Sequence, residues 1–347
     1  MLVARKTKMN SLTSPELLEQ VNPDNLRLLD DFVEYCKSTQ KSPDTIKGYV
    51  SDIRIACVWA LQHNNNLFFV EWTRKQIIRL QNWLLYTNEN SPARVRRIKA
   101  SLSSMSNYIE NIEEDTYPEF RNIINKIESP KNNPVREKTV FEREELEGLL
   151  KHLVDNKQYM KACFLALAMY GGRRKAELCR FRVSDFANDK DHIVCDGALY
   201  QSDPIKTKGR SGGKMLVCYT LVKPFKPYLD MWLAERERLG IQSEWLFPHP
   251  SDPTQHIGIS MANSWASSFS KMLGKDLYWH ALRHFAVSEM SRQGLPDNAI
   301  IMMLGWSKES GSAMFSIYND RPQEDQLSEW FKDGEINTSG RKSVNDI

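Results

Sequence analysis

Gly171-Gly172-Arg173-Arg174-Lys175-Ala176-Glu177-Leu178 sets three adjacent cations at the end of an apolar run, directly after two glycines that weaken a helix. So dense a cluster of positive charge predicts an anion nearby. Read alone, Arg173 and Arg174 also suit salt bridges to Glu177, one helical turn on. Downstream, His280-Ala281-Leu282-Arg283-His284 places His280 and Arg283 one turn apart, so both side chains can address a single point. Leu304-Gly305-Trp306 follows, and after a loop containing Gly and Ser comes Phe315-Ser316-Ile317-Tyr318-Asn319-Asp320. Taken singly each stretch has a bland reading. A tyrosine beside Met314, Phe315 and Ile317 is ordinarily a core residue. The His280/His284 pair resembles half a zinc site, but it lacks the HExxH glutamate and an evident third ligand, so no metal is expected.

Around these stretches the pattern is mixed. Helical periodicity covers about 157–170, 224–239, 260–273, 280–293 and 297–304, with short β-like runs at 192–195, 198–201 and 215–220. Gly209 to Gly213 supplies a turn before the last run. Upstream the pattern is helical throughout: Leu29, Phe32, Val33 and Cys36 recur at three- and four-residue steps. Ser42-Pro43-Asp44 opens a second helix with Ile46, Tyr49, Val50, Ile53 and Cys57 on its apolar face. A third runs through Ile77, Leu80, Leu84 and Leu85. Ser91-Pro92 starts a fourth, buried through Val95, Ile98, Leu102, Met105, Ile109 and Ile112. That fourth helix carries Arg94, Arg96, Arg97 and Lys99 with no neighbouring carboxylate, which favours phosphate contacts over an ordinary solvated face.

Ser129-Pro130-Lys131-Asn132-Asn133-Pro134-Val135-Arg136 breaks either regular structure, and the domain boundary is expected there. A length of 347 residues agrees with two domains on a prior of about 150 residues each. With 47 Lys+Arg against 44 Asp+Glu the net charge of +3 permits nucleic-acid binding without demanding it, so charge placement carries that argument. Six single cysteines with no CxxC pair and no secretory segment suggest reduced thiols in an intracellular protein. No apolar run approaches the roughly 18 residues a membrane span needs.

In order and rough spacing these elements resemble the tyrosine recombinase, or phage integrase, family over nearly the whole chain. The Gly-x-Arg-x-x-Glu-Leu box falls on Gly172, Arg174, Glu177 and Leu178, and His-x-x-Arg-His falls on His280, Arg283 and His284. Arg173 stands where the family usually has an apolar residue. Leu304-Gly305-Trp306 resembles the Cre-like form of a box that more often ends in His. Thr45, Ile46 and Tyr49 match in type the entry to the family's helical domain. The resemblance implies a mainly α N-terminal DNA-binding domain (a SAM-like helical bundle) and a mixed α+β catalytic domain with a small antiparallel sheet. The expected divisions are an extension at 1–25, the helical domain at 26–128, a linker at 129–138, the catalytic domain at 139–322 and a tail at 323–347.

The resemblance makes Tyr318 the nucleophile that joins DNA through a 3′-phosphotyrosyl bond, and the chemistry explains the company it keeps. Attack on a phosphodiester builds charge on the non-bridging oxygens, which two planar guanidiniums, Arg174 and Arg283, can clamp. A phenol of pKa near ~10 needs a proton acceptor or a positive site, the work for which His280 is suited. The leaving 5′-oxygen takes a proton from a lysine of a β-hairpin; Lys206 and Lys208 both fit, with Lys206 preferred. Trp306 is suited to pack on the phosphate and donate its indole N–H, with Glu177, His284 and Arg173 in support. The phosphotyrosyl bond conserves the linkage energy, so no cofactor is expected. Expected partners are double-stranded DNA and further copies in a homo-tetramer on two DNA sites, with DNA-bending accessory proteins left open. Leu327, Trp330 and Phe331 form an apolar stripe, read as a helix that docks on a neighbouring protomer. The competing readings are a type IB-like topoisomerase and a catalytically silent DNA-binding protein of the same fold.

Overall fold

The structure, a computed structural model, describes residues 12–131, 139–207, 215–306 and 308–321, together with the backbone of 331–332 and 335–336. It divides into two compact units, one within residues 1–137 and the other from 138 onward.

In the first unit the helix starts are written in the sequence. Ser14, Asn22, Ser42 and Ser91 each precede a proline, and each side chain accepts a hydrogen bond from a backbone N–H of the first turn. The cap satisfies an orphan donor while proline supplies a preset φ at a position that needs no N–H. The resulting helices are α1 (Pro15–Leu18), α2 (Pro23–Ser38), α3 (Pro43–His63) and α5 (Pro92–Ile112). Between the last two lies α4 (Arg74–Asn82), which passes into a π-helical turn at Trp83–Thr87. Phe32, Ile53, Trp59, Leu80, Leu102 and Ile109 are buried together at the centre. No strand occurs among the described residues of this unit.

The second unit is built around α7 (Tyr159–Gly171), whose residues from Ala162 onward are all buried. Phe164 fixes it: its ring meets Phe247, Trp265 and Trp279 edge to face at 4.9, 5.3 and 4.7 Å between centroids. Against α7 stand α6 (Arg143–Asp155), α8 (Lys175–Leu178), α9 (Val222–Arg238), α10 (Ile259–Leu273) and α11 (Trp279–Arg292), followed by α12 (Asp297–Met303) and α13 (Lys308–Tyr318). An antiparallel sheet joins β1 (Ile193–Val194), β2 (Leu199–Gln201) and β5 (Tyr219–Leu221) in the order β1-β2-β5. Two hairpins complete the unit: β3 (Ile205–Lys206) with β4 (Met215–Leu216), and β6 (Pro248–His249) with β7 (Asp252–His256). The architecture is the expected one, helices in both units and small antiparallel sheets in the second.

Three local expectations fail for identifiable reasons. The run 215–220 is not one strand: Val217 and Cys218 interrupt it, and its halves pair in different sheets. The Gly/Ser-containing segment after Trp306 is helix α13, not a loop. Gly311 is there because a Cβ would sit 2.7 Å from Ile301 Cγ2, so the glycine lets α13 close on α12. Phe331 lies on β8 (Phe331–Lys332), opposite Ile336 of β9 (Glu335–Ile336), and so continues no helix from residue 327. Leu327, Trp330, Lys208 and linker residues 132–138 lie outside the described residues.

Candidate active site

The site forms where α7, α11, α12 and α13 meet. Gly172 ends α7 in the left-handed conformation, φ +60°, and a Cβ there would press on Leu304 and Ala286 at 2.9 and 3.1 Å. Glycine is thus required twice over, by conformation and by space. The turn frees Arg174 to cap α8: Arg174 N donates to Glu177 Oε2 at 3.0 Å and its Nη1 to Oε1 at 3.1 Å. Glu177 is 1% exposed, so its charge is spent on this arginine.

One face of α11 addresses the end of α13 residue by residue. His280 Nε2 lies 2.8 Å from the Tyr318 hydroxyl. His284, one turn on, stacks on the Tyr318 ring at 4.6 Å and 27°, with Nδ1 3.2 Å from Asp320 Oδ2, within ion-pair reach though not aligned as a hydrogen bond. Ser288, a further turn on, accepts the backbone N–H of Asp320 at 2.8 Å. Arg321 donates through Nη1 to the carbonyl and hydroxyl of Ser291 at 3.2 and 3.1 Å. The stripe recurs at i, i+4, i+8 because the helical period returns there to the same face.

Arg283 is wholly buried and donates to the carbonyl oxygens of Gly172 at 3.0 Å and Leu304 at 3.5 Å. Its guanidinium carbon lies 5.1 Å from the Trp306 ring centre and 5.4 Å from that of Tyr318. Burial presses its pKa down to about 10, Arg174 and Arg173 add to this, and Glu177 opposes; it remains a cation at neutral pH. Trp306 packs 5.2 Å from Tyr318, and its buried indole N–H has no acceptor among the described residues. Burial lowers the His280 pKa to about 4, helped by the charges of His284, Arg283 and Arg174. The outer edge of this ring is open to solvent, which screens part of the effect; the direction leaves His280 neutral at pH 7.

A phenol bonded to a neutral imidazole, beside an Arg283 Nε–H and an indole N–H that have no acceptor among the described residues, is equipped to attack an anionic ester and stabilise the charge that develops. Lys206 stands on β3 with its side chain exposed, and its carbonyl accepts from Arg180 Nη1 at 2.6 Å; among the described residues no hydrogen bond ties it to Tyr318. Among the described residues no group of three His, Cys, Asp or Glu side chains is placed to hold a metal. No helix there is long and apolar enough to cross a membrane. A separate cleft of about 340 Å³, lined by Tyr159, Trp232, Leu239 and Pro248, shares no residue with the site.

The basic cluster of α5 is differently placed from expectation. Asp52 of α3, buried completely, meets Arg94 Nη1 at 2.5 Å and Arg97 Nε at 3.3 Å, so the cluster does have an acidic neighbour, invisible locally because it lies on another helix. Lys99 is 5% exposed and gives its ammonium to the carbonyls of Ile127 and Glu128, at 2.9 and 3.0 Å. Arg96 donates to Pro130 O at 3.1 Å, and Arg97 remains the most open of the residues paired with Asp52. Ser288, Asp320 and Asp52 were not singled out by sequence reasoning. Only Ser288, eight residues after His280 on the same stripe, carried a readable signal.

Comparison with known proteins gives the chain its relatives and its fold. The SPbeta prophage-derived recombinase-like protein YomM of Bacillus subtilis (strain 168) is 26% identical over 294 residues, 82% of this chain and 83% of that protein. A tyrosine recombinase of Thermosipho africanus (strain TCF52B) is 21% identical over 311 residues, 87% of this chain and 98% of its own. A lambda integrase dimer bound to a COC' core site shares the fold, with a TM-score of 0.61 at 18% identity over 92% of this chain and 83% of that one. The model of the Phage integrase family matches residues 139–324, more than half of the sequence and the whole of the Tyr318 cluster, and the chain belongs to that family, the tyrosine recombinases.

Proposed function

We propose that this chain, a tyrosine-type site-specific DNA recombinase, cuts and rejoins DNA through Tyr318. The phenolic oxygen attacks the scissile phosphorus, the bond from phosphorus to the 5′-oxygen breaks, and a 3′-phosphotyrosyl link forms. His280 takes the phenolic proton, Arg174 and Arg283 hold the non-bridging oxygens, and Trp306 donates its indole N–H to one of them. The leaving 5′-oxygen gains a proton from the β3–β4 hairpin, from Lys206 or Lys208. Rejoining reverses the sequence with a different 5′-hydroxyl. The observation that carries this reading is the 2.8 Å contact between Tyr318 and His280 inside a cluster of buried donors that lack acceptors.

The first unit holds the duplex in this reading, with Arg94, Arg96 and Arg97 near phosphates and Lys99 given to structure. The lambda integrase neighbour is a dimer on its core site. Multimerisation on DNA extends here to a tetramer on two sites, with the tail from 323 on as the docking segment and DNA-bending proteins as accessories. The protein acts on intracellular DNA. Incubation with nicked duplexes from its own genetic neighbourhood, followed by peptide mapping of denaturant-resistant adducts, tests the mechanism. The expected adduct is on Tyr318 and is lost in Tyr318→Phe. An adduct on another tyrosine, or none on any duplex that binds, overturns it; recombinant products from paired sites separate recombination from simple relaxation.

A further inference from the structure

Arg173 occupies a position where burial and charge are in conflict. It is 1% exposed, and the neighbouring Arg283 is wholly buried, so two guanidiniums are withdrawn from water in one place. Arg173 Nη2 donates to Tyr219 O at 3.4 Å and to Met303 O, while its Nε and Nη1 have no acceptor among the described residues. Arg283 reaches the adjacent carbonyl of Leu304, and among the described residues its own Nε also lacks an acceptor. The two arginines thus hold successive carbonyls at the C-terminal end of α12, just before Trp306. Glu177, the carboxylate paired here, is committed to Arg174. A folded chain gains nothing by burying a cation with unmatched donors, and an apolar residue of similar volume is often the more stable choice. Like charge at close quarters is already felt: after burial and Arg174, Arg173 adds to the downward pressure on the Arg283 pKa.

We propose that Arg173 is a positioning residue for strand cleavage, a second buried guanidinium that keeps unmatched positive charge behind Arg283 and the α12 end until a DNA phosphate enters. The proposal rests on the reading of the Tyr318 cluster as the scissile-phosphate site. Arg173 acts through Arg283 and through the Met303–Leu304 turn, without itself touching the phosphate. Its charge raises the cost of the empty site and lowers that of the transition state, where negative charge is greatest.

Arg173→Met, which removes charge and keeps volume, and Arg173→Lys, which keeps charge and loses the planar fork, separate this role from a merely structural one. Three quantities are measured on the full chain: melting temperature without DNA, affinity for nicked duplex, and the single-turnover rate of the Tyr318 adduct. For R173M we expect melting at or above wild type, unchanged affinity and an adduct rate about tenfold lower, with R173K keeping most of the rate. R173M that melts clearly lower or fails to fold shows a bracket for two carbonyls and overturns the proposal. It is equally overturned by R173M cleaving at the wild-type rate, or by R173K as slow as R173M. Wild-type protein that forms no Tyr318 adduct signals failure of the underlying site reading instead.

Discussion

His280 Nε2 and the Tyr318 hydroxyl are 2.8 Å apart although 38 residues separate them in the chain, and the imidazole is held neutral by burial and the charges of His284, Arg283 and Arg174. Cleavage should therefore stay insensitive to pH through 6.5, the ordinary histidine value, and fall only as pH approaches about 4, where His280 in the free enzyme takes a proton and can no longer accept one. A bound phosphate favours the charged ring, so the acid limb of kcat should lie above that of kcat/KM. His280→Gln should slow adduct formation by about 10²- to 10⁴-fold. Because the folded pKa lies below the unfolded one, the folded state binds fewer protons between pH 6.5 and 4, and stability is full above that window and declines through it. Single-turnover rates and urea melts across pH 4–8 check both statements. An acid limb of kcat/KM centred at 6.5 would show the ring to be solvated.

Gly305 and Leu216 form the second coupling. Gly305 has φ +64°, and a Cβ at this position would overlap the Leu216 side chain of β4. Gly305→Ala should cost about 1–2 kcal/mol from the left-handed conformation alone, and should push away the hairpin that bears Lys206. Slower adduct formation is the expected result. Leu216→Ala in the same chain restores space but not conformation, so the double variant should recover rate more than stability. Equal loss of rate in the single and double variants would separate the hairpin from the chemistry.

The contrast between Gly305 and Gly311 shows what the sequence can and cannot disclose. Gly305 reads as part of a motif and Gly311 as part of a loop, yet one sits in a turn against Leu216 and the other inside α13 against Ile301, because the deciding fact is a neighbour that the local pattern does not name. Local signals fared better: Ser42-Pro43 and Ser91-Pro92 mark helix starts, and the i, i+3, i+4 spacing of His280, Arg283 and His284 places all three near Tyr318. Asp52 was illegible for the opposite reason. A carboxylate on α3 meets arginines on α5 only after two helices pack, and no window of sequence holds both.

That Asp52 contact yields a third prediction. Its carboxylate also accepts from Ser101 Oγ at 2.7 Å, so Asp52→Ala removes a buried acceptor that Ser101, Arg94 and Arg97 share and should destabilise the first unit by roughly 1–3 kcal/mol. Arg97→Ala removes a half-open partner and should hardly alter melting. If Arg97 meets a phosphate, this variant should lower the magnitude of the slope of log affinity against log salt by about 1. An unchanged slope would assign Arg97 to the Asp52 pair alone.

Beyond Tyr318 the chain is fastened to α11 at two further points, Asp320 N–H to Ser288 Oγ and Arg321 to Ser291. A nucleophile at the end of a helix needs such restraint, since small displacements of a reacting atom cost rate steeply. Ser288→Ala leaves a backbone donor without its partner, a loss of about 1 kcal/mol. Its larger effect should be on the adduct rate, with DNA affinity unchanged. Ser288→Thr keeps the hydroxyl and should restore the rate. If the two fastenings act as one restraint, Ser288→Ala and Arg321→Ala will cost less together than the sum of their separate effects on the activation free energy. Full additivity would mean that each holds the chain independently, and a wild-type rate in Ser288→Ala would show that His280 and His284 position Tyr318 without this hydroxyl.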